Sequence, residues 1–220
     1  MPADCFSADA AHPASELSLS LLQDTLALLE STRSADRLLG SQRLAELVHS
    51  CRGEHLPLLC AYLREAGAME SLVDLLDDKV EQTVAYSLMV IGNLCSDAVD
   101  PEAAQSRALF QKAQGALVTM LSSVASSDTF TAVYAAAALQ NLCKDVAVGT
   151  AALQQGAIKL LDNVLRRTRA PGAHQSRRRK EQLSPSEDDE ELLYLYASGA
   201  LINVLNCCHL QRASPSKRNR

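Results

Sequence analysis

Apolar residues along this chain recur at helical spacing, and one such pattern appears three times. Ala85 to Cys95 (AYSLMVIGNLC), Val133 to Cys143 (VYAAAALQNLC) and Leu195 to Leu205 (LYASGALINVL) each set a Tyr seven residues before an Asn: Tyr86 and Asn93, Tyr134 and Asn141, Tyr196 and Asn203. Each copy also places Ile or Leu two residues before the Asn and Leu or Val just after it. Seven residues is about two helical turns, so Tyr and Asn share one face, with Met89, Ala137 or Gly199 between them and the aliphatics on another face. The three segments are therefore expected to be equivalent helices.

A second landmark precedes each of them: Glu65-Ala66-Gly67-Ala68-Met69, Ala113-Gln114-Gly115-Ala116-Leu117 and Gln154-Gln155-Gly156-Ala157-Ile158. Gly and Asn are 26 residues apart in the first two units and 47 in the third, so the third carries an insertion of 21 residues. The glycines themselves are spaced 48 and 41 residues apart. A helical pattern with that period belongs to the armadillo and HEAT class of repeats.

The elements follow from this frame. Residues 1–15 read as a flexible arm, and Ser15 is a candidate cap for a helix over 16–30 whose stripe is Leu17, Leu21, Leu22, Leu26, Leu28 and Leu29. A second helix, capped by Ser34 or Asp36, runs to about Ser50, and the two form a cap or a worn first repeat. The first full unit then has a short helix with Pro57 in its first turn, a medium helix over 68–77 and a long one over 80–95. The next has helices from Pro101 to about Ala113, over 116–124 and over 129–143, the last capped by Asp128. The final unit runs from Val146 through Gly156 to about Arg169, and its long helix begins near Glu190, after the insertion at 170–189. The predicted domain is thus all-α over 16–208, with a flexible basic tail at 209–220.

The run from Glu65 to Leu76 (EAGAMESLVDLL), followed by Val84 to Cys95 with its Gly-Asn-Leu, resembles an armadillo repeat. The resemblance covers roughly residues 37–208 and is strongest over 60–165. It implies a right-handed α-α superhelix of about three to four repeats, whose third helices line a concave groove. In that groove Asn side chains bind the backbone of an extended peptide, here Asn93, Asn141 and Asn203, with Tyr86, Met89, Tyr134 and Tyr196 beside them. An Asn amide both donates and accepts, so it reads an extended chain without regard to its sequence. The competing reading is that the same Asn and Tyr bond neighbouring helices and hold the superhelix in register. Importin-type members of the family carry a Trp four residues before the Asn, where this chain has Met89, Ala137 and Gly199. Classical basic cargo loses its stacking partners in such a groove.

Composition sharpens the picture. Hydrophobic residues make up 47% of 220 residues, enough for a sizeable core, while aromatics are 4% and Trp is absent, which suits closely stacked helices better than a sheet. A net charge of −5 argues against nucleic acid or an anionic membrane as the main partner. The Met1-Pro2-Ala3-Asp4 start has no signal-peptide pattern, and no stretch approaches 18 apolar residues. Seven cysteines, mostly within apolar runs, point to buried free thiols in a reducing compartment, hence the cytoplasm.

His49, Cys51, His55 and Cys60 lie close in sequence but lack metal-ligand spacing, and no motif for a metal, a cofactor or catalysis is evident. The insertion carries Arg177, Arg178, Arg179 and Lys180, a candidate nuclear-localisation segment, and then the acids Glu187 to Glu191. Ser184 and Ser186 are candidate phosphorylation sites. The segment is expected to be disordered and to control access to the groove or the address of the protein. The expected function is a non-catalytic scaffold that binds an extended peptide of a protein partner. The alternatives are a regulator of a folded partner such as a small GTPase, as some armadillo proteins are, or an importin-like cargo adaptor. No capping helix is evident after the last long helix, so its end face is expected to invite self-association.

Overall fold

The computed structural model describes residues 19–113, 115–169 and 187–213, and all of its regular elements are helical; no strand occurs among the described residues. In chain order they are α1 (Leu19–Leu29), α2 (Ser34–Ser50), α3 (His55–Glu65), α4 (Ala68–Asp74) with a 3₁₀ turn (Leu75–Asp77), α5 (Glu81–Leu94), α6 (Ala103–Lys112), α7 (Ala116–Val124), α8 (Thr129–Leu142), α9 (Val146–Gln154), α10 (Ala157–Arg169) and α11 (Glu187–Ala213). After the α1–α2 pair the helices fall into three consecutive triplets.

Each triplet turns at a glycine. Gly67, Gly115 and Gly156 have φ of 75°, 84° and 81°, a left-handed conformation that costs any residue with a Cβ about 1–2 kcal/mol. That is why the same glycine marks three sequence units. The next helix begins directly after it.

Caps locate other boundaries. The Asp128 carboxylate accepts from the Thr131 N–H at 2.8 Å and so opens α8, as the sequence suggested. Asp145 does the same for α9 through Ala147 and Val148. The cap expected of Ser34 or Asp36 is not made. Arg33 stands at the N-cap of α2 without a side-chain cap, because the Asp36 carboxylate is taken by the Ser31 hydroxyl at 2.9 Å. The expected cap at Ser15 lies outside the described residues.

Three further expectations are corrected. In the first triplet the opening helix is not shorter than the second: α3 has 11 residues against 7 in α4, because α4 tightens into the 3₁₀ turn after about two turns. And α11 begins at Glu187, not near Glu190, and continues to Ala213, beyond the boundary at 208. Its first turn therefore takes in acids assigned to the insertion, where negative charge suits the positive end of the helix dipole. This helix is longer and more apolar than the expectation that no stretch approaches 18 apolar residues suggests. By length and composition, Asp188–His209 is long and apolar enough to cross a bilayer. It packs instead against α8, α9 and α10 through buried Leu193, Ala197, Ala200, Val204 and Cys207.

One hydrophobic core runs through the described helices, from Leu22 of α1 to Val204 of α11. The longest helices form its spine: α2 packs on α5, α5 on α8 and α8 on α11. At Gly92 the α5 and α8 backbones approach closely, since a Cβ there would lie 3.3 Å from the Cα of Ala138. Ion pairs fasten the edges. Arg64 pairs with the buried Asp100 and, at 2.9 Å, with Glu102, tying α3 to the α5–α6 link. Arg107 holds the Cys95 carbonyl at 2.8 Å and the Asp97 carboxylate at 2.9 Å, and Lys144 after α8 reaches the same Asp97 at 3.1 Å.

Candidate functional site

The helix face that carries Tyr and Asn in the sequence becomes one surface in the fold. Between α5, α8 and α11 it encloses an open cavity of about 380 Å³, lined by Asn93, Tyr134, Gln140, Asn141, Lys144 and Tyr196, with Met89 and Ala137 among the remaining walls. Polar amides and aromatic hydroxyls thus converge on a partly apolar floor.

The three Asn are bound in two different ways. Asn141 donates Nδ2–H to the Gly92 carbonyl of α5 at 3.0 Å, and Asn203 donates to the Gln140 carbonyl of α8 at 2.7 Å. Both therefore rung one long helix to the one before it. Asn93 bonds only within its own helix, to the Met89 carbonyl at 2.8 Å. In each case one N–H is engaged, which leaves the second N–H and the amide oxygen for a ligand. Holding helices and reading a peptide are consequently compatible in one side chain.

An aromatic ladder continues the surface toward the start of α8. Tyr86 meets Phe130 edge-on with ring centroids 6.1 Å apart, and Phe130 meets Tyr134 at 4.6 Å in the same manner. Burial raises the Tyr134 pKa above its ordinary value, with Asp189, Tyr196 and Tyr86 adding to the effect, so its hydroxyl stays protonated and is a donor. Gly199 leaves room for the Gln140 side chain, whose amide nitrogen would stand 2.5 Å from a Cβ at that position.

The cavity brings together Met89, Asn93, Tyr134, Asn141 and Tyr196 of the sequence-derived set. Tyr86 joins through Phe130, and Asn203 serves as a rung without lining the cavity. Phe130, Gln140 and Lys144 were not anticipated. Phe130 sits four residues before Tyr134, one turn away on the same face, so the helical period that found Tyr134 also contains it. Ser184, Ser186, Arg177, Arg178, Arg179 and Lys180 lie outside the described residues.

Elsewhere the chemistry is quiet. His49 and His55 are exposed while Cys60 is buried in α3, and among the described residues no three His, Cys, Asp or Glu stand as a metal site. Burial pushes the Cys60, Cys95 and Cys143 thiols up to about 12, which makes them poor nucleophiles at neutral pH. A larger cleft, about 680 Å³, opens beside α1, α2 and α4 with five acids on its walls. Arg37 pairs with Asp78 there, and the Ser71 and Thr119 hydroxyls donate to Glu30 and Asp77.

No family model matches the chain, and no curated protein matches it either. Among solved structures it is similar to two engineered proteins whose crystal structures come from the Northeast Structural Genomics Consortium. One gives a TM-score of 0.61 at 18% identity over 84% of this chain and 63% of the other; the second gives 0.57 at 16% identity over 89% and 44%. This chain thus spans less than two thirds of either engineered protein. The likeness concerns the fold alone.

Proposed function

We propose that the chain is an armadillo-type right-handed solenoid that performs no chemistry and binds an extended peptide segment of a protein partner in the groove between α5, α8 and α11. The carrying observation is the cavity in which Asn93 and Asn141 converge with Tyr134 and Tyr196, each amide retaining a free donor and acceptor. An extended backbone offers complementary N–H and C=O groups at about 3.3 Å per residue, so a short segment satisfies both Asn. The ladder Tyr86, Phe130 and Tyr134 supplies flat surfaces for a bulky apolar or planar side chain of that segment. With Met89, Ala137 and Gly199 where importin-type receptors have indoles, the groove does not favour basic import signals. A compartment that keeps thiols reduced, the cytoplasm or nucleus, fits the buried free cysteines.

The test is a random-peptide phage selection on the intact chain, followed by competition with the Ala137→Arg variant. Ala137 lines the cavity and its replacement fills the groove without removing a rung. Selected peptides should lose binding at least tenfold while the fold stays intact. Equal binding to this variant would refute the groove reading.

A further inference from the structure

Gln140 carries an amide that the fold of α8 does not use. The side chain is half-buried and lines the cavity, yet its amide makes no hydrogen bond among the described residues. Such a group has two donor hydrogens and an acceptor oxygen, and in a half-buried place these are costly to leave unmet by water or a ligand.

Two residues of α11 prepare this amide. Gly199 and Asn203 are four positions apart and share the face that is turned to α8. Asn203 donates to the Gln140 backbone carbonyl at 2.7 Å and so fixes where the side chain starts. Gly199 makes room for where it ends, since a Cβ there would stand 2.5 Å from Nε2 and 2.6 Å from Cδ of Gln140. The amide therefore lies on the α11 side of α8, across the backbone at Gly199. Asn141, one residue on, reaches the other way, to the Gly92 carbonyl of α5. Consecutive helix positions are about 100° apart, so residues 140 and 141 serve the gaps on either side of α8.

We infer that Gln140 is the third amide that reads the backbone of the bound peptide, in the place that the repeat pattern gives to Asn203. The inference rests on the peptide-groove reading and extends it: the reading row is Asn93, Asn141 and Gln140, and Asn203 positions Gln140. Packed helices lie about 8–10 Å apart and an extended chain rises about 3.3 Å per residue, so Gln140 meets the peptide about three residues on from Asn141.

The probe is a phage-selected peptide whose binding to the intact chain is lost in the Ala137→Arg variant, which first establishes the groove. Gln140→Met keeps an unbranched side chain of similar length without the amide, and Gly199→Ala displaces the amide without changing residue 140. Each should weaken that peptide about tenfold, the effect of losing one hydrogen bond, with a melting curve near the parent's. The double variant should bind no worse than either single one, because both changes remove the same contact. Replacing the peptide's amides by esters one at a time should find a position that costs affinity on the parent chain and nothing on Gln140→Met. Parent-like binding by either single variant, additive losses in the double variant, or the same ester profile on parent and Gln140→Met would overturn the inference and leave the groove reading standing. Selected peptides indifferent to Ala137→Arg would overturn both.

Discussion

Asn141 of α8 donates its side-chain amide to the Gly92 carbonyl of α5 at 3.0 Å, where a Cβ on Gly92 would stand 3.3 Å from the Ala138 backbone. A carbonyl inside a helix already accepts one bond from the next turn, so the Asn uses its second lone pair. Asn203 repeats the relationship one helix on, with the Gln140 carbonyl. Asn93 does not, because its bond stays within α5.

That difference sets a ranking. Asn141→Ala and Asn203→Ala each remove an inter-helix hydrogen bond from a half-buried site and should cost about 1–2 kcal/mol. Asn93→Ala loses only an intrahelical bond and should cost less than about 1 kcal/mol. Urea unfolding of the three variants checks the order; equal losses would show that the rungs add nothing.

Gly92 is a steric prediction. An added Cβ would meet the backbone of Ala138 at 3.3 Å, which no rotamer change relieves, so Gly92→Ala should destabilise by about 1–3 kcal/mol despite the better helix propensity of Ala. Gly199→Ala displaces only the far end of Gln140 and should be close to neutral. Thermal melts of the pair decide it.

The Arg64–Asp100 pair is shielded on both sides, with side-chain exposures of 7% and 1%. Arg64→Met leaves the Asp100 carboxylate buried and uncompensated and should cost about 3–5 kcal/mol. Adding Asp100→Asn, which removes the charge, should recover part of that loss. Denaturation of the single and double variants measures the recovery.

Acid should unfold the chain through Asp78 and Asp97. Burial pushes both carboxyls up, but for Asp78 the Arg37 guanidinium and the Val80 N–H outweigh it, and for Asp97 Arg107 and Lys144 do, so both end below the ordinary 3.8. A depressed folded-state value contributes stability that is present above the unfolded value and lost as pH falls through the folded one, here below about pH 4. The urea midpoint should therefore fall between about pH 7 and about pH 3, and Arg37→Met should make that fall shallower. An unchanged pH dependence in the variant would show that the pair does not set it.

Much of this was legible beforehand. The left-handed glycines and the Asp128 cap follow from local rules that need no tertiary context, and so Gly67, Gly115, Gly156 and α8 fell where the pattern put them. The Tyr–Asn face was legible because both residues obey the period of one helix. What escaped depends on neighbours. Phe130 acquires its role only when α5 brings Tyr86 beside it, and Asn141 and Asn203 become rungs where the preceding long helix offers a carbonyl, while Asn93 bonds within α5. The early start of α11 was missed because five consecutive acids read as a solvated run, although they also suit a helix N-terminus.

The groove itself is tested most directly by heteronuclear NMR of the labelled chain titrated with a peptide from the phage selection. The account predicts that the side-chain amide resonances of Asn93 and Asn141 and the ring signals of Tyr134 and Tyr196 move together, with Asn203 moving less. Shifts confined to the outer face of α11 or to α1, with those four residues still, would contradict it.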